Sequence, residues 1–243
     1  PAGAVEVLRK AVDLGIDFFD TADSYGPFVA EDLLREALHP YDGITVATKA
    51  GLVRTGPGKW HQIGRPEYLR FALEMSLRRL GVEQIDLFQL HRIDSQVPAE
   101  EQIGVLQDMK EEGKISQIGL SEVGVEQIEM ARGITGIVSV QNLYNLSNRS
   151  AEEVVDYCDQ EGIVFIPAAD SPSGEPMAST HSPVRTALES PSLRNGRFVA
   201  STFTSATSER LSAPITFAFI SRLSVKRTWI TSAFSITCAL VTM

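Results

Sequence analysis

Cysteine is scarce in this chain, with Cys158 and Cys238 the whole complement among 243 residues. Neither belongs to a CxxC pair or to a set with metal-ligand spacing, so the sequence offers no disulfide framework and no metal site. Basic residues are outnumbered, 22 against 31 acidic, and the net charge of −9 argues against an electropositive, nucleic-acid-binding face. Long apolar runs are missing too. The C-terminal stretch TWITSAFSITCALVTM is broken by Ser and Thr, and it falls short of the roughly 20 apolar residues of a membrane-spanning helix. The opening PAGAVEVLRKAVDLG carries charges and reads as helix rather than as signal peptide or membrane anchor. A soluble, reducing, cytoplasmic setting is expected.

What is present is enough for one substantial core, since 43% of the residues are hydrophobic and 22% charged. Up to about residue 169 short apolar runs at 16–20, 44–48, 86–90, 117–121, 137–141 and 163–167 alternate with amphipathic stretches. That is the pattern of βα units and a parallel sheet. Val5, Leu8 and Val12 share a helical face that stops before Gly15, and Leu69, Leu73, Leu77 and Leu80 share another, begun by Pro66 and ended by Gly81. Val154, Val155 and Cys158 make a third, which places Cys158 in the core.

Chemistry concentrates where these runs end. Asp20 and Tyr25 lie in IDFFDTADSYG, Lys49 in ITVATKAG and His91 in DLFQLHR. In an α/β barrel the ends of strands are where active sites are built. Each residue alone has a plainer use: Asp20 as a cap or turn residue, Lys49 as a solvated charge, His91 as a structural histidine, Tyr25 as part of a turn. As a set they suit proton donation. A phenol with an ordinary pKa of about 10 is a weak acid at neutral pH. A neighbouring ammonium such as Lys49 favours phenolate, and Asp20 can hold that ammonium charged. His91 can orient a substrate oxygen. No side chain is a hydride source, so reduction of a carbonyl at such a site implies a cofactor.

The segments FDTADSYG, TKAG, QLHR, EGKISQIGLSEV and VSVQNLYN resemble the aldo-keto reductase superfamily. The resemblance implies a (β/α)8 TIM barrel that uses NADPH (NADP) to reduce a small-molecule aldehyde or ketone to an alcohol. In it Tyr25 is the general acid, Asp20, Lys49 and His91 support it, and Ser121 and Gln141 hold the nicotinamide carboxamide. Ser121 also suits the cap of the following helix. Glu122 stands beside them where many members have Asn. The segment 51–65 is expected as a loop over the barrel mouth, with Trp60 either on the substrate wall or packed within the loop.

The resemblance covers about residues 1–169, within which strands 2–7 of the eight are recognisable. The first and last strands are not identified, so two sheet edges are expected to stand open. Residues 170–243 form an atypical tail: Ser and Thr supply 24 of its 74 residues and it contains no Tyr. Its charge is +3, against −12 for the residues before it. No Gly-rich pyrophosphate loop and no PGT or KS-type 2′-phosphate stretch is found there. The tail reads either as a divergent segment or as translation through a frameshift or mispredicted exon. Disorder or poor packing is expected for 171–212 and at most weak strand for the apolar end. The alternatives to an active reductase are a catalytically inactive fragment and a non-catalytic binding member of the same fold.

Overall fold

The computed structural model describes residues 2–145 and 148–168 in full, and the backbone of three strands at 201–204, 214–225 and 228–239. The remaining residues of 170–243, including most of 171–212, lie outside the described residues.

From Ala2 to Ala168 the chain runs α1 (Ala2–Asp13), β1 (Phe18–Asp20), α2 (Val29–Leu38), β2 (Thr45–Ala50), β3 (Leu52–Gly56), β4 (Lys59–Gln62), α3 (Pro66–Leu80), β5 (Ile85–Leu90), α4 (Ala99–Glu111), β6 (Ile115–Ser121), α5 (Val125–Arg132), β7 (Ile137–Leu143), α6 (Glu152–Glu161) and β8 (Val164–Ala168). All six apolar runs form strands. They pair in parallel in chain order, β1–β2–β5–β6–β7–β8, with helices between successive strands. This is an incomplete (β/α)8 barrel. The amphipathic periodicity explains the helices: α1 buries Ala4, Val5, Leu8 and Ala11, and α3 buries Leu69, Leu73, Leu77 and Leu80. Pro66 opens α3, and Gly81, at φ 75°, closes it in a left-handed conformation that costs glycine little.

Strand alternation makes two unequal cores. One face of the sheet packs on the helices through Phe19, Val46, Phe88, Ile118 and Leu120. The opposite face carries a small apolar layer of Ala47, Leu87 and Ile166, flanked by Phe18 and Val138. Side chains two residues apart on a strand share a face. The step from Phe18, Ala47 and Leu87 therefore leads to Asp20, Lys49 and Gln89, all buried. The inner face turns from apolar to polar within one residue pair, at the C-terminal ends of the strands.

Two expectations are corrected. The segment 51–65 is not an irregular loop but carries the hairpin β3–β4, in which Arg54 pairs with Trp60 and Val53 with His61. Gly56, Pro57 and Gly58 at the hairpin's centre hide the strand alternation in the sequence. The edge at β1 is not open: β10 (Pro214–Val225) pairs antiparallel with it, Phe18 opposite Ile220 and Asp20 opposite Ala218. β11 (Thr228–Ala239) pairs antiparallel with β10, and β9 (Ser201–Thr204) runs parallel to β11. The apolar end, read as strand in the sequence, supplies β11 and with β10 makes a long hairpin. Among the described residues no helix is long and apolar enough to cross a membrane.

Candidate active site

Asp20 ends β1, Lys49 is the penultimate residue of β2 and His91 follows β5 directly, so strand geometry alone delivers three of the four side chains to one rim. Tyr25 comes from the turn between β1 and α2. That turn is fixed by the backbone bonds Asp23 N–H to Lys49 O, 3.1 Å, and Phe28 N–H to Asp23 O, 2.7 Å. The Lys49 ammonium donates to Asp20 Oδ2 at 2.6 Å and to the Thr21 carbonyl at 2.7 Å. It also lies 5.2 Å from the centre of the Tyr25 ring. Tyr25 and His91 meet edge to face, centroids 5.9 Å apart. The sequence-expected four are therefore gathered in one place.

Burial by itself works against the charge on Lys49, but attraction to Asp20 and Tyr25 and hydrogen bonds to both raise its pKa above the ordinary lysine value. It stays an ammonium. Tyr25 keeps part of its surface open, yet burial around the phenol raises its pKa above the ordinary value; the opposing pull of Lys49 is present and does not outweigh it. The expected shift towards phenolate is thus reversed in direction. Burial first, then the charges of Lys49 and Arg92, hold His91 well below the usual histidine range, so its imidazole is neutral. Ser24 Oγ lies 3.5 Å from His91 Nδ1.

Asp20 is held by more than Lys49. Gln89 Nε2 donates to its Oδ1 at 2.7 Å, and Gln141 Nε2 donates to its Oδ2 at 2.9 Å. Ser121 and Gln141 are register partners at the ends of β6 and β7, both nearly buried. The Ser121 hydroxyl accepts from Arg92 Nη1 at 3.0 Å, which leaves its own proton to donate. The pair fits one end of a nicotinamide cofactor, because a buried hydroxyl and a buried side-chain amide on adjacent strands match the donor and acceptor of a carboxamide. Glu122 adopts φ 54° and its Oε1 accepts from the Leu143 N–H at 2.7 Å, clasping the ends of β6 and β7. Trp60 is half-buried on β4, and the Arg54 guanidinium sits 5.5 Å from its ring centre. Among the described residues no group of three or more His, Cys, Asp and Glu side chains is placed to hold a metal.

Sequence reasoning passed over Gln89 and Arg92, although both stand in the FQLHR segment it singled out. Gln89 shares the inner face with Lys49, its register partner. That two-residue offset from His91 was the available signal. Arg92 Nη1 joins the His91 carbonyl, 2.6 Å away, to Ser121 Oγ, and so ties the two halves of the site together.

The family model of aldo/keto reductases matches residues 1–213. An uncharacterized oxidoreductase of Schizosaccharomyces pombe is 56% identical over 163 residues, 67% of this chain and 53% of its own length. Among solved structures, a glycerol dehydrogenase from Gluconobacter oxydans superposes with TM-score 0.64 at 28% identity, over 79% of this chain and 63% of the other. An aldo/keto reductase from Klebsiella pneumoniae, in complex with NADP and acetate, does so with TM-score 0.57 at 26% identity, over 68% and 56%. The chain spans about half the length of the curated relatives it matches.

Proposed function

This chain belongs to the aldo/keto reductase family, and we propose that its strand-end site reduces an aldehyde or ketone to an alcohol with NADPH, Tyr25 giving the proton. The observation that carries the reading is the 2.6 Å Lys49–Asp20 pair lying beside the Tyr25 ring. A nicotinamide cofactor, when bound, supplies the hydride to the carbonyl carbon. The chain's own residues do the rest.

Ser121 and Gln141 would hold the carboxamide, while Glu122 fixes the strand ends that carry them. His91, being neutral, donates a hydrogen bond to the carbonyl oxygen and orients it without competing as an acid. Tyr25, protonated across neutral pH, passes its Oη proton to the same oxygen as negative charge develops there. The C=O double bond becomes C–OH, and the phenolate left behind faces the Lys49 ammonium until solvent returns a proton. Asp20, gripped by Lys49, Gln89 and Gln141, keeps that ammonium charged and in place. Residues 1–169 are read as the catalytic barrel portion and 170–243 as an atypical tail.

Tyr25→Phe is the direct test. Carbonyl reduction should fall by about 10²–10⁴-fold, the usual contribution of a positioned proton donor, while NADPH binding followed by cofactor fluorescence stays the same. Unaltered turnover in Tyr25→Phe would remove the phenol from the mechanism.

A further inference from the structure

We propose that Arg92 makes this site select carbonyl substrates that carry a carboxylate or phosphate group. The inference rests on the carbonyl-reducing reading above and names its substrate class.

Position comes first. Arg92 follows His91, is half-buried, and spans from the His91 carbonyl at 2.6 Å to Ser121 Oγ at 3.0 Å. Its guanidinium therefore lies between the residue that would orient the substrate oxygen and the residue that would hold the cofactor. A group bound there sits next to the reacting carbonyl.

Charge comes second. Lys49 is matched by Asp20 at 2.6 Å and Arg79 by Glu31 at 2.5 Å, while half-buried Arg54 rests on the Trp60 ring and half-buried Lys110 on the Gln117 amide. Arg92 forms no ion pair among the described residues. The acidic side chain that acts on it electrostatically, Glu122, uses Oε1 to accept from the Leu143 N–H. Among the described residues only Nη1 of Arg92 makes hydrogen bonds, both to neutral oxygens. Nε and Nη2 find no acceptor among the described residues, so a planar fork of N–H groups is left over, the arrangement that grips a carboxylate or phosphate in bidentate fashion. Burial lowers the guanidinium's pKa from its ordinary value, a cost that an anion would offset.

The surroundings point the same way. Residues 51–65, which leave the rim at the end of β2, contain Arg54, Lys59, His61 and Arg65 and no Asp or Glu. The hairpin starts beside Arg92: a Cβ placed on Gly51 would come 3.4 Å from the Arg92 carbonyl oxygen.

The test has a binding arm and a kinetic arm, both on the 243-residue chain. In isothermal titration, benzoate and inorganic phosphate should bind and benzamide should bind at least about tenfold more weakly. In kinetics, the ratio of kcat/KM for 4-carboxybenzaldehyde over benzaldehyde, and for glyceraldehyde 3-phosphate over glyceraldehyde, separates the carboxylate and phosphate sources. Arg92→Gln should lower the preferred ratio by about ten- to a hundredfold and abolish the benzoate preference, and Arg92→Lys should fall between. A benzoate affinity no better than benzamide in the unmodified protein overturns the proposal, whether or not Arg92→Gln folds. Ratios unchanged in a folded Arg92→Gln overturn it as well. If benzoate binding depends on Arg92 but no carbonyl is reduced, the proposed reaction fails and the anion site stands. If Tyr25-dependent reduction occurs without anion preference, the reaction stands and the anion site fails.

Discussion

At the scale of single residues, the rim is a set of charges placed where burial magnifies their effects. Asp23 shows this most clearly. It is 3% exposed, its Oδ1 has no hydrogen-bond partner among the described residues, and its pKa is raised to about 8 by burial first and then by Glu31. The folded protein therefore holds a proton on Asp23 that the unfolded chain releases near pH 4. Between those two values the unfolded state binds fewer protons than the folded one, so this residue's contribution to stability falls as pH rises from about 4 to about 8 and is level above. Asp23→Asn, neutral at every pH, should remove that slope. Its melting temperature should match the unmodified protein's near pH 4 and exceed it at pH 8. Parallel melting curves across that range would show that Asp23 is charged in the fold.

Among the elements, the inner face of the sheet sets the tightest constraint. Gly119 on β6 lies in register between Gln89 on β5 and Ser139 on β7. A Cβ there would come 2.3 Å from Ser139 Oγ and 3.0 Å from Gln89 Cγ. The glycine is what lets Gln89 reach Asp20. Gly119→Ala should destabilise the fold by about 1–3 kcal/mol, the usual cost of overpacking, and should weaken carbonyl reduction because Gln89 is pushed from the Asp20 carboxylate. Chemical denaturation and kcat on one substrate check both effects, and a neutral substitution would mean that Ser139 swings clear. On the outer face, Glu31 of α2 joins Arg79 of α3 at 2.5 Å and Thr48 of β2 at 2.6 Å, which seats two helices against the strand that carries Lys49.

For the whole molecule, the described sheet contains six parallel strands with a three-stranded group, β10–β11–β9, joined antiparallel to its β1 side. In the proposed reading Ser121 and Gln141 would hold only the carboxamide end of the cofactor. The tail's sequence carries no recognisable pyrophosphate or 2′-phosphate motif. Each charge-assisted phosphate contact that is missing is worth about 1.5–3 kcal/mol, so two or three would weaken binding by several orders of magnitude. Fluorescence titration should accordingly give this 243-residue chain far weaker NADPH affinity than a full-length relative. Micromolar or tighter binding would place a phosphate site in the tail.

The sequence by itself determined the alternation of strand and helix up to residue 169, because periodicity two and periodicity 3.6 are local properties written within a few residues. It likewise placed Asp20, Lys49 and His91 at strand ends, since each stands beside the apolar run that makes its strand, and Tyr25 in the turn that follows Asp20. Tertiary structure alone decided how these groups act on one another. Gln141 reaches Asp20 across 121 residues of chain and Gln89 across 69, contacts created by the lateral order of the curled sheet and by no local pattern. The hairpin 52–62 and the seating of β10 on β1 depend in the same way on partners that a strand meets only after folding. The direction of the Tyr25 shift was also out of reach of the sequence, for the proximity of Lys49 could be guessed, whereas the burial that outweighs it exists only once the strand ends and the turn after β1 have packed around the phenol.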